Sequence, residues 1–141
     1  MTIQWRDEMT VGNAEIDDDH RYLISLINAI EAAVNCGIEK KVLSTHVSEL
    51  FAYTEKHFKR EEEIQAEIQF PFKEAHKQEH EKLINNLNAI QISLESQQDE
   101  KSWKSLIQGL FDVLKAWLIN HILNDDLKMK GHFESDSMLK I

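Results

Sequence analysis

Proline occurs once and glycine four times in this chain of 141 residues, too little turn chemistry for a sheet protein, whose strands need frequent punctuation. A single cysteine, Cys36, excludes an intrachain disulfide and gives no sign of an oxidising compartment; near a helix end it reads as a small apolar filler. Basic residues number 16 against 25 acidic ones, a formal charge of −9. That balance excludes the clustered positive charge with which a protein displaces counterions from nucleic acid. No apolar run approaches the roughly 20 residues of a membrane span, and the start, MTIQWRDEMT, lacks a basic stretch followed by an apolar one. The expectation is a cytoplasmic protein with neither nucleic acid nor membrane as partner; no protein partner is specified.

What remains is rich in Leu, Ile, Ala, Glu, Lys and Gln, the residues of an all-α protein. The length suits one domain, 1–141, with one core. Residues 1–16 show no sustained helical period and carry an isolated Trp5, which predicts an extended N-terminal arm whose indole packs on the rest. From Asp17 or Asp18 as N-cap, Leu23, Ile24, Ile27, Ile30 and Val34 recur at helical spacing until Gly37, predicting a helix over about 17–36. A second spans about 40–68 and stops before Phe70-Pro71, because the residue preceding proline avoids the α region. The third, about 71–95, starts at Pro71, a favourable first helical position. The fourth, about 101–130, presents Trp103, Ile107, Leu110, Phe111, Leu114 and Leu118 on one face and ends near Gly131. Short connections between four such helices predict an up-down-up-down antiparallel four-helix bundle.

Seven histidines are present, and in that bundle five of them fall at one level. His20 lies just inside the first helix, His57 two to three turns before the end of the second, His76 and His80 near the start of the third, and His121 two to three turns before the end of the fourth. At about 100° and 1.5 Å per residue, a spacing of four puts two side chains on one face roughly 6 Å apart. His57 with Glu61 and His76 with His80 therefore each aim two ligand atoms inward. His46 and His132 are three turns from His57 and His121, about 16 Å along the axis, too far to share the site. Glu62, Glu63, Lys56, Lys59 and Arg60 read as ordinary solvated charge.

Histidine nitrogens with carboxylate oxygens suit iron, zinc or manganese, and the absence of cysteine ligands argues against a structural zinc or iron–sulfur site. Five histidines with two carboxylates exceed what one ion accepts. If both carboxylates bridge, the protein fills nine coordination positions and a solvent-derived oxygen bridge two more, leaving one of about twelve open on two octahedral ions. Glu61 is one carboxylate. For the other, ideal helix geometry favours Asp125, about 40° around from His121, over Asp126, about 140° away.

The ordered pattern His20, His57-x-x-x-Glu61, His76-x-x-x-His80, His121-x-x-x-x-Asp126 resembles the signature of the hemerythrin family. The surrounding words resemble its single-domain bacterial members over nearly the whole chain: Trp5, Val11-Gly12, Ile16-Asp17 before His20, His57-Phe58, Glu61-Glu62, Phe70-Pro71, and Trp117-Leu118 before His121-Ile122. The resemblance implies two iron ions with a bridging oxo or hydroxo group, His76, His80 and His121 on one, His20 and His57 on the other, and Glu61 and Asp126 bridging. Asp126 in that role requires a distorted fourth helix, for instance a π-type turn. The resemblance further implies a non-enzymatic dioxygen-binding protein for storage, delivery or sensing, with dioxygen held end-on as a hydroperoxide at the open iron position. Leu23, Phe58, Trp117, Leu118 and Ile122 would form the apolar pocket around it; the same stripe would build any bundle core. The alternatives are a di-iron enzyme acting on dioxygen, nitric oxide or peroxide, for which the Glu-x-x-His motifs of oxygen-activating bundles are missing, and an iron storage or repair factor.

Overall fold

The computed structural model describes residues 3–96 and 99–133, apart from the side chain of Asp125. Among these residues there are four α-helices and no strand: α1 (Ala14–Asn35), α2 (Lys40–Glu67), α3 (Lys73–Ser96) and α4 (Glu100–Asn120). α1 packs on α2 and α4, and α3 on α2 and α4, so the four close into a ring around a shared core. Beyond α4 the chain continues as a π turn, His121–Asp125, and a 3-10 turn, Asp126–Met129, before helical residues 130–133.

The helix starts differ from the sequence expectation in informative ways. α1 begins three residues early because Asn13, not Asp17 or Asp18, is the N-cap, its side chain accepting from the Ile16 N–H at 3.0 Å. Asp17 is buried inside the first turns, where its carboxylate accepts from the Val11 N–H at 2.9 Å and from the Thr10 hydroxyl. Pro71 does not open α3. The Lys73 N–H bonds back to the Phe70 carbonyl, and the first helical acceptor is the Phe72 carbonyl, reached by the His76 N–H; the helix therefore starts at Lys73. At α4 the cap is Asp99, which accepts from the Ser102 N–H and hydroxyl. Gly131 is not a stop, since it lies within helical residues 130–133.

Two helix ends share one device. After α1, Gly37 at φ 77° lets its own N–H reach the Val34 carbonyl and the Ile38 N–H reach that of Ala33, the paired bonds of a Schellman motif. After α2 the same pair forms from Gln69 to Ala66 and from Phe70 to Gln65, but the left-handed position is held by Gln69 at φ 54°. This closure turns Phe70 inward, where it is buried in a small cluster with Val11, Ile16, Met129 and Phe133.

The main core contains Leu23, Ile27, Leu50, Phe58, Leu87, Trp103, Ile107, Phe111 and Leu118. The segment before α1 is tied down by a reciprocal pair, the Ile3 N–H donating to Asn28 Oδ1 and Asn28 Nδ2 donating to the Ile3 carbonyl. Trp5 packs against the core under the Arg21 guanidinium, 4.5 Å from its ring centre. Contrary to the sequence reading, Glu100–Phe133 is by length and composition apolar enough to cross a membrane. Its apolar face, however, is occupied: Trp103, Ile107, Leu110, Phe111, Leu114 and Leu118 are all buried in the bundle.

The two Schellman closures differ only in the residue that takes positive φ. Gly37→Ala should lower stability by about 1 kcal/mol, and Gln69→Gly should raise it by up to about 1 kcal/mol, since a left-handed L-residue costs roughly that much. Urea unfolding midpoints of the three proteins check both signs.

Candidate metal centre

The site forms where side chains that could ligate a metal, from all four helical segments, meet. His20 is on the second turn of α1, His57 and Glu61 one turn apart on α2, His76 and His80 one turn apart on α3, and His121 and Asp126 flank the π turn after α4. All seven are buried, and Glu61 and Asp126 have no solvent exposure at all. His46 and His132 are elsewhere: His46 is exposed beside Glu49 and His132 packs edge-on against Phe70.

The π turn brings Asp126 into the site. The Asp126 N–H reaches the His121 carbonyl, five residues back, so the turn carries one residue more than an α turn. His121 and Asp126 are thereby brought onto one side, with His121 Nε2 3.0 Å from Asp126 Oδ1. The side chain of Asp125 lies outside the described residues.

Each carboxylate divides its two oxygens between two groups of histidines. Glu61 Oε2 lies 3.0 Å from His57 Nε2 and 3.7 Å from His20 Nε2. Its Oε1 lies 3.4 Å from both His76 Nδ1 and His80 Nε2, and 3.6 Å from His121 Nε2. Asp126 repeats the division, Oδ2 at 2.9 Å from His20 Nε2 and Oδ1 at 3.0 Å from His121 and 3.8 Å from His76. Two histidines therefore stand on one side and three on the other, with both carboxylates between.

These approaches are close without being hydrogen bonds. The four carboxylate oxygens, both nitrogens of His20, Nε2 of His57 and Nε2 of His76 have no hydrogen-bond partner among the described residues. Nε2 of His80 and Nε2 of His121 face each other at 3.4 Å. Buried polar atoms are normally paired, and an unpaired buried carboxylate is costly. Inward-facing lone pairs on nitrogen and oxygen within 4.8 Å of one another are what cations would satisfy, and the donor set suits borderline transition metals.

Outward-facing nitrogens are held by residues that sequence reasoning passed over. His57 Nδ1 donates to Asp19 Oδ2 at 2.9 Å and His80 Nδ1 to Glu62 Oε2 at 3.2 Å; the Gln65 amide instead hydrogen-bonds at 2.7 Å to His76 Nδ1, the nitrogen that faces Glu61. Glu62 and Arg60 are thus not plain surface charge: Glu62 fixes a histidine and Arg60 grips Asp19 through two nitrogens. The only sequence signal for them is nearness to the site histidines and carboxylates, Asp19 and Glu62 being adjacent to His20 and Glu61, and Arg60 and Gln65 about one turn from His57 and Glu61.

The apolar residues singled out in the sequence surround these side chains. Phe58 stacks on His80, ring centres 3.8 Å apart and nearly parallel, and Trp117 stacks on His121 at 4.6 Å. Leu23, Leu118 and Ile122 are buried in the same core, with Trp117 partly buried against it. A surface groove of about 810 Å³ lies between the segment Ile3–Met9 and the end of α4 with the π turn, and no histidine lines it; a smaller one of about 420 Å³ opens at Phe58, Glu62 and His80.

The chain is thus an all-helical protein built around a buried cluster of histidines and bridging carboxylates suited to metal. Residues 11–133 match the hemerythrin HHE cation binding domain. Bacteriohemerythrin from Stenotrophomonas maltophilia is 30% identical over 122 residues, covering 86% of this chain and 75% of that protein. A hemerythrin-like protein of Naegleria gruberi is 30% identical over 127 residues, 90% of each, and bacteriohemerythrin of Clostridium acetobutylicum 32% identical over 126 residues, 86% of this chain and 94% of its own. The chain belongs to the hemerythrin family.

Without metal, burial alone would push the His20 imidazole toward the neutral form, but Asp126 and Glu61 outweigh it and raise its pKa to about 9. Burial likewise works against the charged Glu61, yet the surrounding imidazoles hold its pKa well below the ordinary 4.5. Metal must therefore displace a proton from His20 at neutral pH, and zinc(II) added to metal-free protein in weak buffer near pH 7 should release about one proton or more per chain. In the metal-free protein the His20 contribution to stability is complete below pH 6.5 and lost as pH rises through about 9; that of Glu61 is present above pH 4.5 and lost on acidification. Unfolding midpoints across this range should fall on both sides, and a flat profile would contradict it.

Proposed function

We propose that the chain is a non-haem di-iron protein that binds dioxygen reversibly, for storage, delivery or sensing. The observation carrying this reading is the division of Glu61 and Asp126 between two histidines on one side and three on the other. Such a division would suit two ions sharing Glu61 and Asp126, one held by His76, His80 and His121 and the other, with fewer protein ligands, by His20 and His57. Two ferrous ions there would supply the electrons for reversible binding of a diatomic gas, chemistry that side chains cannot provide.

The residues of the chain do the rest. His76, His80 and His121 would hold one ion, His20 and His57 the other, and Glu61 and Asp126 would be shared between them. Leu23, Phe58, Leu118 and Ile122, with Trp117, keep water and larger molecules from the open side, which favours binding one small molecule over broader substrate chemistry. The same reading takes residues 1–141 as one domain, α1 to α4 as an up-down-up-down antiparallel bundle with an N-terminal arm before it, and the cytoplasm as its place. Support for the topology comes from the packing of each helix on its sequence neighbour and from ligands alternating between the starts and ends of successive helices. Relatives named bacteriohemerythrin support the choice of iron.

The purified protein should hold about two iron ions per chain, show a visible colour in air and lose it reversibly when oxygen is removed. Glu61→Ala, which takes a shared ligand from both positions, should bring iron content well below that of the parent. Absence of iron together with absence of an oxygen-dependent colour would overturn the proposal, and sustained turnover of nitric oxide or peroxide without a stable coloured form would favour an enzyme.

A further inference from the structure

Neighbouring residues on an α-helix point about 100° apart, so Asp19 cannot aim where His20 does. It faces α2 instead and is buried there. Oδ2 accepts from His57 Nδ1 and from Arg60 Nε, both at 2.9 Å, and Oδ1 accepts from the Tyr53 hydroxyl at 2.6 Å and from Arg60 Nη2 at 2.7 Å. Tyr53, His57 and Arg60 occupy one face of α2, and the Arg60 guanidinium also lies 5.4 Å from the Tyr53 ring centre.

The outer contacts on the other side of the site are of a different kind. His80 meets a carboxylate, but Glu62 is 27% exposed; His76 meets only the uncharged amide of Gln65, and on the nitrogen that itself faces Glu61. Of these three histidine partners, Asp19 alone is a buried carboxylate clamped by further groups. Its position cannot drift, and its charge is little screened by water.

We infer that Asp19 is a positioning residue for the two-histidine side: it holds the His57 ring with Nε2 turned toward Glu61, and its charge strengthens that nitrogen as a donor, so it tightens one of the two ion positions selectively. A carboxylate on the far nitrogen of a ligating imidazole fixes its orientation and raises its basicity. The inference rests on the two-ion reading above.

Zinc(II) tests it without oxygen chemistry, by competition against a coloured chelator. The unaltered protein should take up about two zinc ions. In Asp19→Ala one position should weaken by about 10- to 100-fold and the other stay as it was. Asp19→Asn keeps an acceptor but not the charge and should lose less, on the same position. In the zinc-loaded protein, the hydrogen-bonded Nδ1 proton of His57, followed by 15N-histidine NMR, should shift in Asp19→Asn and vanish in Asp19→Ala. If Asp19→Ala does not fold, Asp19→Asn and Arg60→Gln, which leaves the carboxylate but removes its clamp, carry the comparison. Unchanged affinity at both positions, or equal weakening of both, overturns the inference while leaving the two-ion site intact. Uptake of fewer than two ions by the unaltered protein overturns the site reading and this inference with it.

Discussion

Two carboxylates with no solvent exposure, set among five buried imidazoles in a helical core, are the constraint on which this structure turns. An apolar interior does not tolerate unpaired anions, and hydrogen bonds do not satisfy these. The surrounding architecture keeps inward nitrogens and oxygens aimed at shared points rather than at donors of their own. Aromatic faces on His80 and His121, polar partners on the outward nitrogens of His57 and His80 and the Gln65 amide on His76 limit ring rotation. What reads as poor hydrogen bonding in an ordinary core is here a preorganised donor set.

Helical arithmetic made much of this legible in the sequence. The one-turn pairs His57 with Glu61 and His76 with His80 require only that their segments be helical, and their meeting with His20 and His121 requires only that the helices pack side by side. Asp126 was accessible by resemblance and not by geometry, because an undistorted helix would have favoured Asp125; the π turn supplies the missing residue of rotation. Helix starts were misread at Asp17 and Pro71 for a local reason. Good capping residues occur in clusters, and the choice among Asn13, Asp17 and Asp18 depends on whether a side chain is claimed elsewhere, as Asp17 is by Val11 and Thr10.

The outer partners were not legible. Asp19 and Arg60 are charged residues in a charged chain, and nothing in their spacing distinguishes a side chain that grips another helix from one that faces water. Their contact spans 41 residues of sequence, and such a pairing exists only once α1 and α2 are packed. The same holds for Gln65, which reaches His76 across the closure at Gln69. Ligand atoms follow a helical period because they converge on one point, whereas the groups that steady them have no common target.

The π turn also reaches beyond the ligands. One extra residue between His121 and Asp126 retards the phase of everything after it by about 100° relative to a straight continuation of α4. Met129 and Phe133, four residues apart, consequently face Val11, Ile16 and Phe70. Turning the π turn into an α turn without removing a residue would advance that phase again, swinging Asp126 off the histidines and Met129 and Phe133 away from their cluster in one stroke, whereas an α turn shortened by one residue would keep them in place. The place of Asp126 among the histidines and the seal at this end of the molecule are thus set by one shared offset.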